Sequence, residues 1–343
     1  MREGKDLILA TKPYANEIRS RSWFHLITTL GLLILALSGT LVLPYFIARL
    51  TASIFAGLLI VRTFVIYHDH QHHTILHNSR LADAIMTVFG IYILAPASIW
   101  KRSHDYHHKH NSKLFSASIG SYPIATRQKF EQMSRKERRS YLFTRHPLTI
   151  LAGYLSMFMI GMCLQSFLSS PKKHLDSLLA LVLHFCGSAA VIYFLGWQAW
   201  ALFIVVPFSI SCCMGAYLFY AQHNFPGVTF NDNEDWCYHE AALLSSSFMV
   251  MSPFMNWVTA NIGYHHIHHL NARIPFYRLP QAMAGIPELQ HAKTTSLRIR
   301  EIMACLKLKI WDPQLKRMIT LREAAALKTP VYKVASPQPL GFS

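Results

Sequence analysis

Apolar positions in this chain are gathered into long uninterrupted runs, not into the one-sided stripes of a water-soluble helix or the alternation of a half-buried strand. The runs are Trp23 to Ala48, Ser53 to Tyr67, Ala82 to Trp100, Leu148 to Leu168, Leu178 to Gly196 and Ala199 to Tyr220. A helix needs about 20 apolar residues to span the hydrocarbon of a bilayer. The shorter runs read equally well as buried helices of a large soluble protein. Trp23 to Ala48 exceeds the spanning length without one charged residue, so the pattern predicts an all-α integral membrane bundle. The polar start MREGKDLILATKPYANEIRSR precedes a run too long for a signal-peptide core, so the first run is expected to be an anchor and residues 1–22 to lie outside the bilayer.

Composition agrees with this picture. Of 343 residues, 52% are hydrophobic and 15% charged, with a mean hydropathy of +0.23. A net charge of +16 would suit a nucleic-acid partner. The lysines and arginines, however, sit mainly in loops and in the C-terminal segment, which the positive-inside rule explains without nucleic acid. The six cysteines show no CxxC spacing and read as packing residues.

Most of the histidines fall in three clusters: His68 to His77, His104 to His110 and His265 to His269. Within them the spacings are HxxxH (His68, His72) and HxxHH twice (His104, His107, His108; His265, His268, His269). Residues three and four apart share one helix face, so each cluster can aim its rings at a common point. That is the arrangement of a metal centre. These rings are too many for one zinc, which takes four ligands, so two ions fit better. Imidazole alone leaves iron, copper, zinc and nickel open. There is no HExxH of a zinc protease, nor the paired Glu-x-x-His motifs of soluble di-iron bundles. Asp69 and Asp105, each following the first His of its cluster, are candidates to accept a ring N–H and orient a ligand; the alternative is plain helix-surface charge. His70, His73, His77, His110 and His266 lie off the repeated spacing and read as polar neighbours.

If the three clusters form one site, an even number of crossings must separate them. Ala82 to Trp100 is then expected to be re-entrant or interfacial. Leu148 to Leu168, flanked by Arg145, Lys172 and Lys173, is expected not to span. The clusters should lie at cytoplasmic helix ends, with Arg62 snorkelling to the headgroups. Asn111 to Ser140 reads as a soluble cytoplasmic segment. The tail from Ala292, with Leu297, Ile299, Ile302 and Leu306 among basic residues, reads as a surface helix on anionic lipid or on the domain itself.

The boxes HDHQH, HDYHH and HHIHH resemble those of integral-membrane fatty acid desaturases. LFYAQHNF (Leu218 to Phe225) is similar to the FYVQH segment of bacterial acyl-lipid desaturases, and NWVTANIGYHHIHHLNARIPFYRL (Asn256 to Leu279) to the segment carrying their third box. WCYHEAALLSSSF between them is similar as well, and the likeness covers roughly residues 60 to 280. It implies a helical membrane domain (23–290) with a cytosolic cap, between a cytosolic segment 1–22 and a basic cytosolic segment 291–343. It implies two irons at the cytosolic face, with O2 and two electrons removing two hydrogens from an acyl chain, one carried by a membrane lipid. His68, His72, His104, His107, His108, His265, His268 and His269 would be ligands, His223 of the QH segment a ninth, and Asn261 a support for the third box. In a bacterium the location would be the inner membrane.

Box one departs from the commoner HDCGH by having His70 and Gln71, which makes the pocket bulkier and more polar. No HPGG haem motif of a fused cytochrome b5 occurs, so a separate ferredoxin or cytochrome b5-like donor is expected, docking on the basic surface. The acyl chain is expected in an apolar tunnel between Ile85 to Leu94 and Phe203 to Tyr220. Fatty acyl hydroxylases and carotenoid ketolases of the same superfamily use similar boxes and are the neighbouring alternative. A membrane metal transporter is the alternative from another class, and it would place ionisable ligands inside the spans instead of at their ends.

Overall fold

A computed structural model describes residues 2–114, 122–232 and 234–327. Parts of the Asn111 to Ser140 and C-terminal segments, residues 115–121 and 328–343, lie outside them. The apolar runs form helices, and among the described residues Arg19–Val42, Phe46–Gln71 and Leu175–Ala221 are long and apolar enough to cross a membrane. Their outward faces are apolar: Phe24, Ile34, Leu35, Tyr193 and Phe194 are all more than 60% exposed. A surface of that kind is favourable against hydrocarbon and costly against water.

The 47 residues of Leu175–Ala221 would extend about 70 Å as one straight helix, more than twice the about 30 Å of a hydrocarbon core. The chain breaks at Gly196, where φ 83° and ψ 165° are open only to a residue without Cβ. Both arms pack on Tyr154–Ser169. Leu148 to Leu168 is divided between that helix and Pro147–Leu151, and neither piece is of spanning length.

The run Ala82 to Trp100 folds as two helices, Arg80–Tyr92 and Ala97–Lys109, bent by 93° at their junction. The bend has local causes. Leu94 takes a positive φ of 60°, the Ala95 amide donates back to the Gly90 carbonyl at 2.9 Å, and Pro96 cannot continue a helix. The Tyr67 hydroxyl donates to the Ala95 carbonyl at 2.9 Å, and Gly90 leaves room for it, since a Cβ there would lie 3.0 Å from the Tyr67 oxygen. The residue before His68 thus fixes the turn that sends the second cluster back towards the first.

Phe46–Gln71 is the central helix, packed on Arg19–Val42 and on Val206–Ala221. Arg62 lies on it, but it does not snorkel. It is buried, with Nε donating to the Thr29 hydroxyl at 3.1 Å, Nη1 donating to the Trp257 carbonyl, Nη2 3.2 Å from His25 Nδ1, and the guanidinium 4.6 Å from the Trp257 ring centre. A guanidinium has five donors in a fixed fork, so satisfying them internally replaces the headgroups. Arg145 is likewise no flanking charge. It is fully buried, donating to the Pro123 carbonyl at 3.0 Å and to Asn224 Oδ1 at 2.6 Å.

The helical class holds, with two small sheets among the described residues that no alternating pattern announced. Phe248–Val250 pairs in parallel with Thr294–Ser296. Leu308–Asp312 pairs in parallel with Ala125–Thr126 and antiparallel with Arg317–Thr320. The tail from Ala292 docks on the domain: its helix Ile299–Lys307 buries Cys305 and Leu306, while Ile299 and Met303 remain exposed.

Replacing Arg62 by Met should leave the Trp257 carbonyl and the Thr29 hydroxyl without their donor, and each buried unsatisfied group costs about 1–3 kcal/mol. Thermal unfolding in detergent should show a midpoint lowered by several degrees; an unchanged midpoint would contradict this tying role.

Candidate metal centre

The histidines reach one place from four short stretches of backbone. His68 lies in the last turn of Phe46–Gln71 and His72 is its C-cap. His104, His107 and His108 occupy the end of Ala97–Lys109, His223 follows the helix ending at Ala221, and the third cluster is itself the helix His265–Leu270. The nine rings divide into two groups. His68, His72, His104, His108 and His268 form one, and His107, His223, His265 and His269 the other, with the ligand atoms of each group all within 4.8 Å of one another.

This division refines the expectation that each cluster serves a single point. Within HxxHH, the i and i+4 rings join one group and the i+3 ring crosses to the other. His104 and His108 join the first group while His107 joins the second; in the third cluster His265 and His269 join the second while His268 joins the first. Boxes two and three therefore straddle both groups and tie them together.

The donor atoms meet head to head. Nε2 separations are 2.8 Å for His68 and His104, 3.1 Å for His104 and His108, and 3.1 Å for His108 and His268. In the second group they are 3.0 Å for His107 and His223, 2.9 Å for His223 and His265, and 3.1 Å for His265 and His269. His223 Nδ1 lies 3.0 Å from the Ser245 carbonyl and His68 Nδ1 3.2 Å from Asp69 Oδ1. A neutral imidazole has one N–H, and in these two rings the acceptor claims it at Nδ1, leaving the Nε2 lone pair pointing into the cluster. Donors about 2.0–2.1 Å from a common ion sit about 3 Å from one another, which these separations match.

Electrostatics favour the same state. Burial pushes His223 and His266 down to about 4, and burial together with neighbouring imidazoles holds His265, His268 and His269 well below the usual range. These rings are neutral near pH 7, the form in which imidazole ligates a metal. His72 Nε2 is buried with no hydrogen-bond partner. The residues present thus fit a pair of imidazole-ligated ions.

Around the rings, Asp69 does more than meet His68. Its Oδ2 accepts the Phe276 amide at 2.8 Å, and Asn261 Nδ2 donates to the Phe276 carbonyl at 3.1 Å. The backbone of one residue, Phe276, thus joins box one to the chain after box three. Asp105 behaves differently: its carboxylate pairs with Lys101 at 2.9 Å and is 40% exposed, the helix-surface arrangement, because at its place on the helix it faces outward. His70 pairs with Asp83 at 3.0 Å and His266 meets the Leu289 carbonyl at 3.1 Å, outside both groups. Sequence reasoning missed Tyr238, whose hydroxyl donates to the His269 carbonyl at 2.7 Å, and Ser245, which acts through a backbone atom and so leaves no side-chain signal.

Beside the rings lies an apolar cavity lined by His68, His104 and His265 and, away from them, by Phe158, Cys212 and Gly215. Phe203 to Tyr220 does supply one wall. The other is the helix Phe46–Gln71, through Ile60, Val61, Phe64 and Val65; Ile85 to Leu94 contributes only Ile93.

A family model described as fatty acid desaturase matches residues 42–299, three quarters of the chain. The chain belongs to the fatty acid desaturase family. A fatty acid desaturase of Bacillus subtilis is 29% identical over 81% of this chain and 78% of its own length. An sn-1 oleoyl-lipid 12-desaturase of Synechocystis is 23% identical over 78% and 76%, and an sn-1 acyl-lipid omega-3 desaturase (ferredoxin) of the same organism is 26% identical over 67% and 65%. This membrane protein is a fatty acyl desaturase, an oxidoreductase.

Asp69→Asn should weaken metal retention by about 10–100-fold, as loss of a ligand-orienting group does, while Asp105→Asn should match the parent. Chelator competition with metal counting checks both, and equal losses would contradict the distinction.

Proposed function

We propose that this desaturase is a multi-pass protein holding two irons at its cytoplasmic side and using O2 to place a double bond in the acyl chain of a membrane lipid. The observation that carries the proposal is the meeting of nine imidazoles, eight of them buried, as two groups at the head of one apolar cavity. His68, His72, His104, His108 and His268 would hold one ion, and His107, His223, His265 and His269 the other. When bound, a pair of irons among neutral donors supplies a cationic, strongly oxidising centre suited to an inert C–H bond. Asp69, Asn261, Tyr238 and the Ser245 carbonyl would orient the rings. The cavity walls exclude water and hold the chain extended, with Phe64 and Phe219 beside the ring end.

The balance of the reaction defines the partners. Two hydrogens leave the acyl chain, O2 takes two electrons from it and two from a donor, and two waters result with protons taken from the medium. The donor would be a separate one-electron carrier; a relative whose name includes ferredoxin supports that class, and the net charge of +16 suits an acidic partner. Relatives named for acyl-lipid substrates support a lipid-linked chain. Residues 23–290 would form the catalytic domain, with 1–22 and 291–343 on the cytoplasmic side.

Two measurements test this reading together. Metal counting on the purified protein should give two irons per chain, and expression in cells of simple lipid composition should add double bonds seen by mass spectrometry of their acyl chains. A single zinc would overturn the oxidative centre, and hydroxylated chains in place of unsaturated ones would overturn the outcome assigned to it.

A further inference from the structure

Arg145 carries a charge that its surroundings do not balance. The residue is fully buried, and its guanidinium donates to the Pro123 carbonyl at 3.0 Å, to Asn224 Oδ1 at 2.6 Å and to the Tyr220 hydroxyl at 3.3 Å, all of them neutral groups. Its Nε is buried with no hydrogen-bond partner among the described residues. A second cation lies against it: Lys309, 8% exposed, donates through Nζ to the Arg145 carbonyl. Burial, and after it the Arg145 charge, lowers Lys309 to about 8. The buried carboxylate on the same strand, Asp312, pairs instead with Arg127 at 3.4 Å. Two buried cations without a carboxylate are unfavourable, because each has lost water and neither has gained an opposite charge.

A polar pocket adjoins this charge. Arg145 lines it together with Asn111, Ser112, Lys113 and Asn224, and among the described residues no carboxylate does. Ser112 is buried, and its Oγ, like Arg145 Nε, has no hydrogen-bond partner among them. Lys113 adds a further cation, its Nζ 4.1 Å from the Trp236 ring centre. The pocket is distinct from the apolar cavity. At the end of Val206–Ala221 and just beyond it, Leu218, Phe219 and Gln222 line the cavity, whereas Tyr220, His223 and Asn224 line the pocket. Unpaired donors beside uncompensated positive charge are the complement of an oxyanion, which accepts several charge-assisted hydrogen bonds at once.

We propose that this pocket is a binding site for an oxyanion, a phosphate or carboxylate group, held by Arg145, Ser112 and Lys113. The anion balances the buried positive charge and satisfies the two orphaned donors. Asn111, Ser112 and Lys113 closely follow the second histidine cluster, and Asn224 follows His223. An occupied pocket therefore ties together two of the segments that carry the rings, without touching the apolar cavity.

The test is thermal unfolding of the full-length protein in detergent, at constant ionic strength, with chloride replaced stepwise by inorganic phosphate, by acetate or by dihexanoyl phosphatidic acid. The parent midpoint should rise and saturate, as it does when a ligand binds the folded state alone. Ser112→Gly is the most informative variant. Ser112 takes a positive φ of 62°, which glycine adopts freely, so its anion-free midpoint should stay close to that of the parent. Its half-saturating concentration should nevertheless rise about tenfold, the effect of losing one hydrogen bond to an ion. Lys113→Gln should raise it by a similar factor, and Arg145→Gln should abolish the response. If Arg145→Gln does not accumulate, the other two variants carry the test. Saturation by phosphate or acetate identifies the occupant as a free anion, and saturation by phosphatidic acid alone identifies it as a lipid headgroup; either supports the site. A rise that never saturates, a saturating rise equal in the parent and all variants, or no rise at all would overturn it.

Discussion

Nine imidazoles are gathered in a largely buried region, with Nε2 atoms facing one another at 2.8–3.2 Å. Burying polar nitrogen without a partner is unfavourable. A cation accepting the ring lone pairs would offset that cost. The surrounding chain must therefore hold the rings turned towards one another. Much of the architecture answers that demand: the Tyr67 and Gly90 turn that returns one helix to the end of another, the Phe276 backbone held at both its amide and its carbonyl, and Arg62 joining Arg19–Val42, Phe46–Gln71 and the chain before the third box.

Polarity is segregated accordingly. Polar donors occur at the helix ends, where backbone groups and short helices give many directions of approach. The cavity beneath is walled by aliphatic and aromatic side chains, and its polar lining is concentrated at the imidazole end. A flexible apolar chain inside it has few places to hydrogen bond, so its position follows from shape alone.

Much of this was legible in the sequence, for identifiable reasons. HxxxH and HxxHH state their helical geometry outright, and long uncharged runs state their environment. Parity among the clusters anticipated that Ala82 to Trp100 would not run straight, and the contact of Asp69 with His68 followed from its place in the first box. The sharing of HxxHH between two groups did not follow, because spacing fixes angles on one helix and says nothing of which neighbouring helix supplies the remaining donors. His223 has no periodic partner and came only through resemblance. Arg62 and Arg145 were misread as interfacial because an arginine in or beside an apolar run gives no sign that carbonyls and aromatic rings from remote segments will surround it. The short strands, two to five residues long, fall below what alternation can reveal.

The central claim is that distant stretches of chain form two adjacent all-nitrogen sites. Anomalous scattering at the iron edge from crystals of the iron-loaded protein tests it most directly. Two peaks should appear, one among His68, His72, His104, His108 and His268 and one among His107, His223, His265 and His269. A single peak, or one ligated by residues outside these groups, would contradict the account.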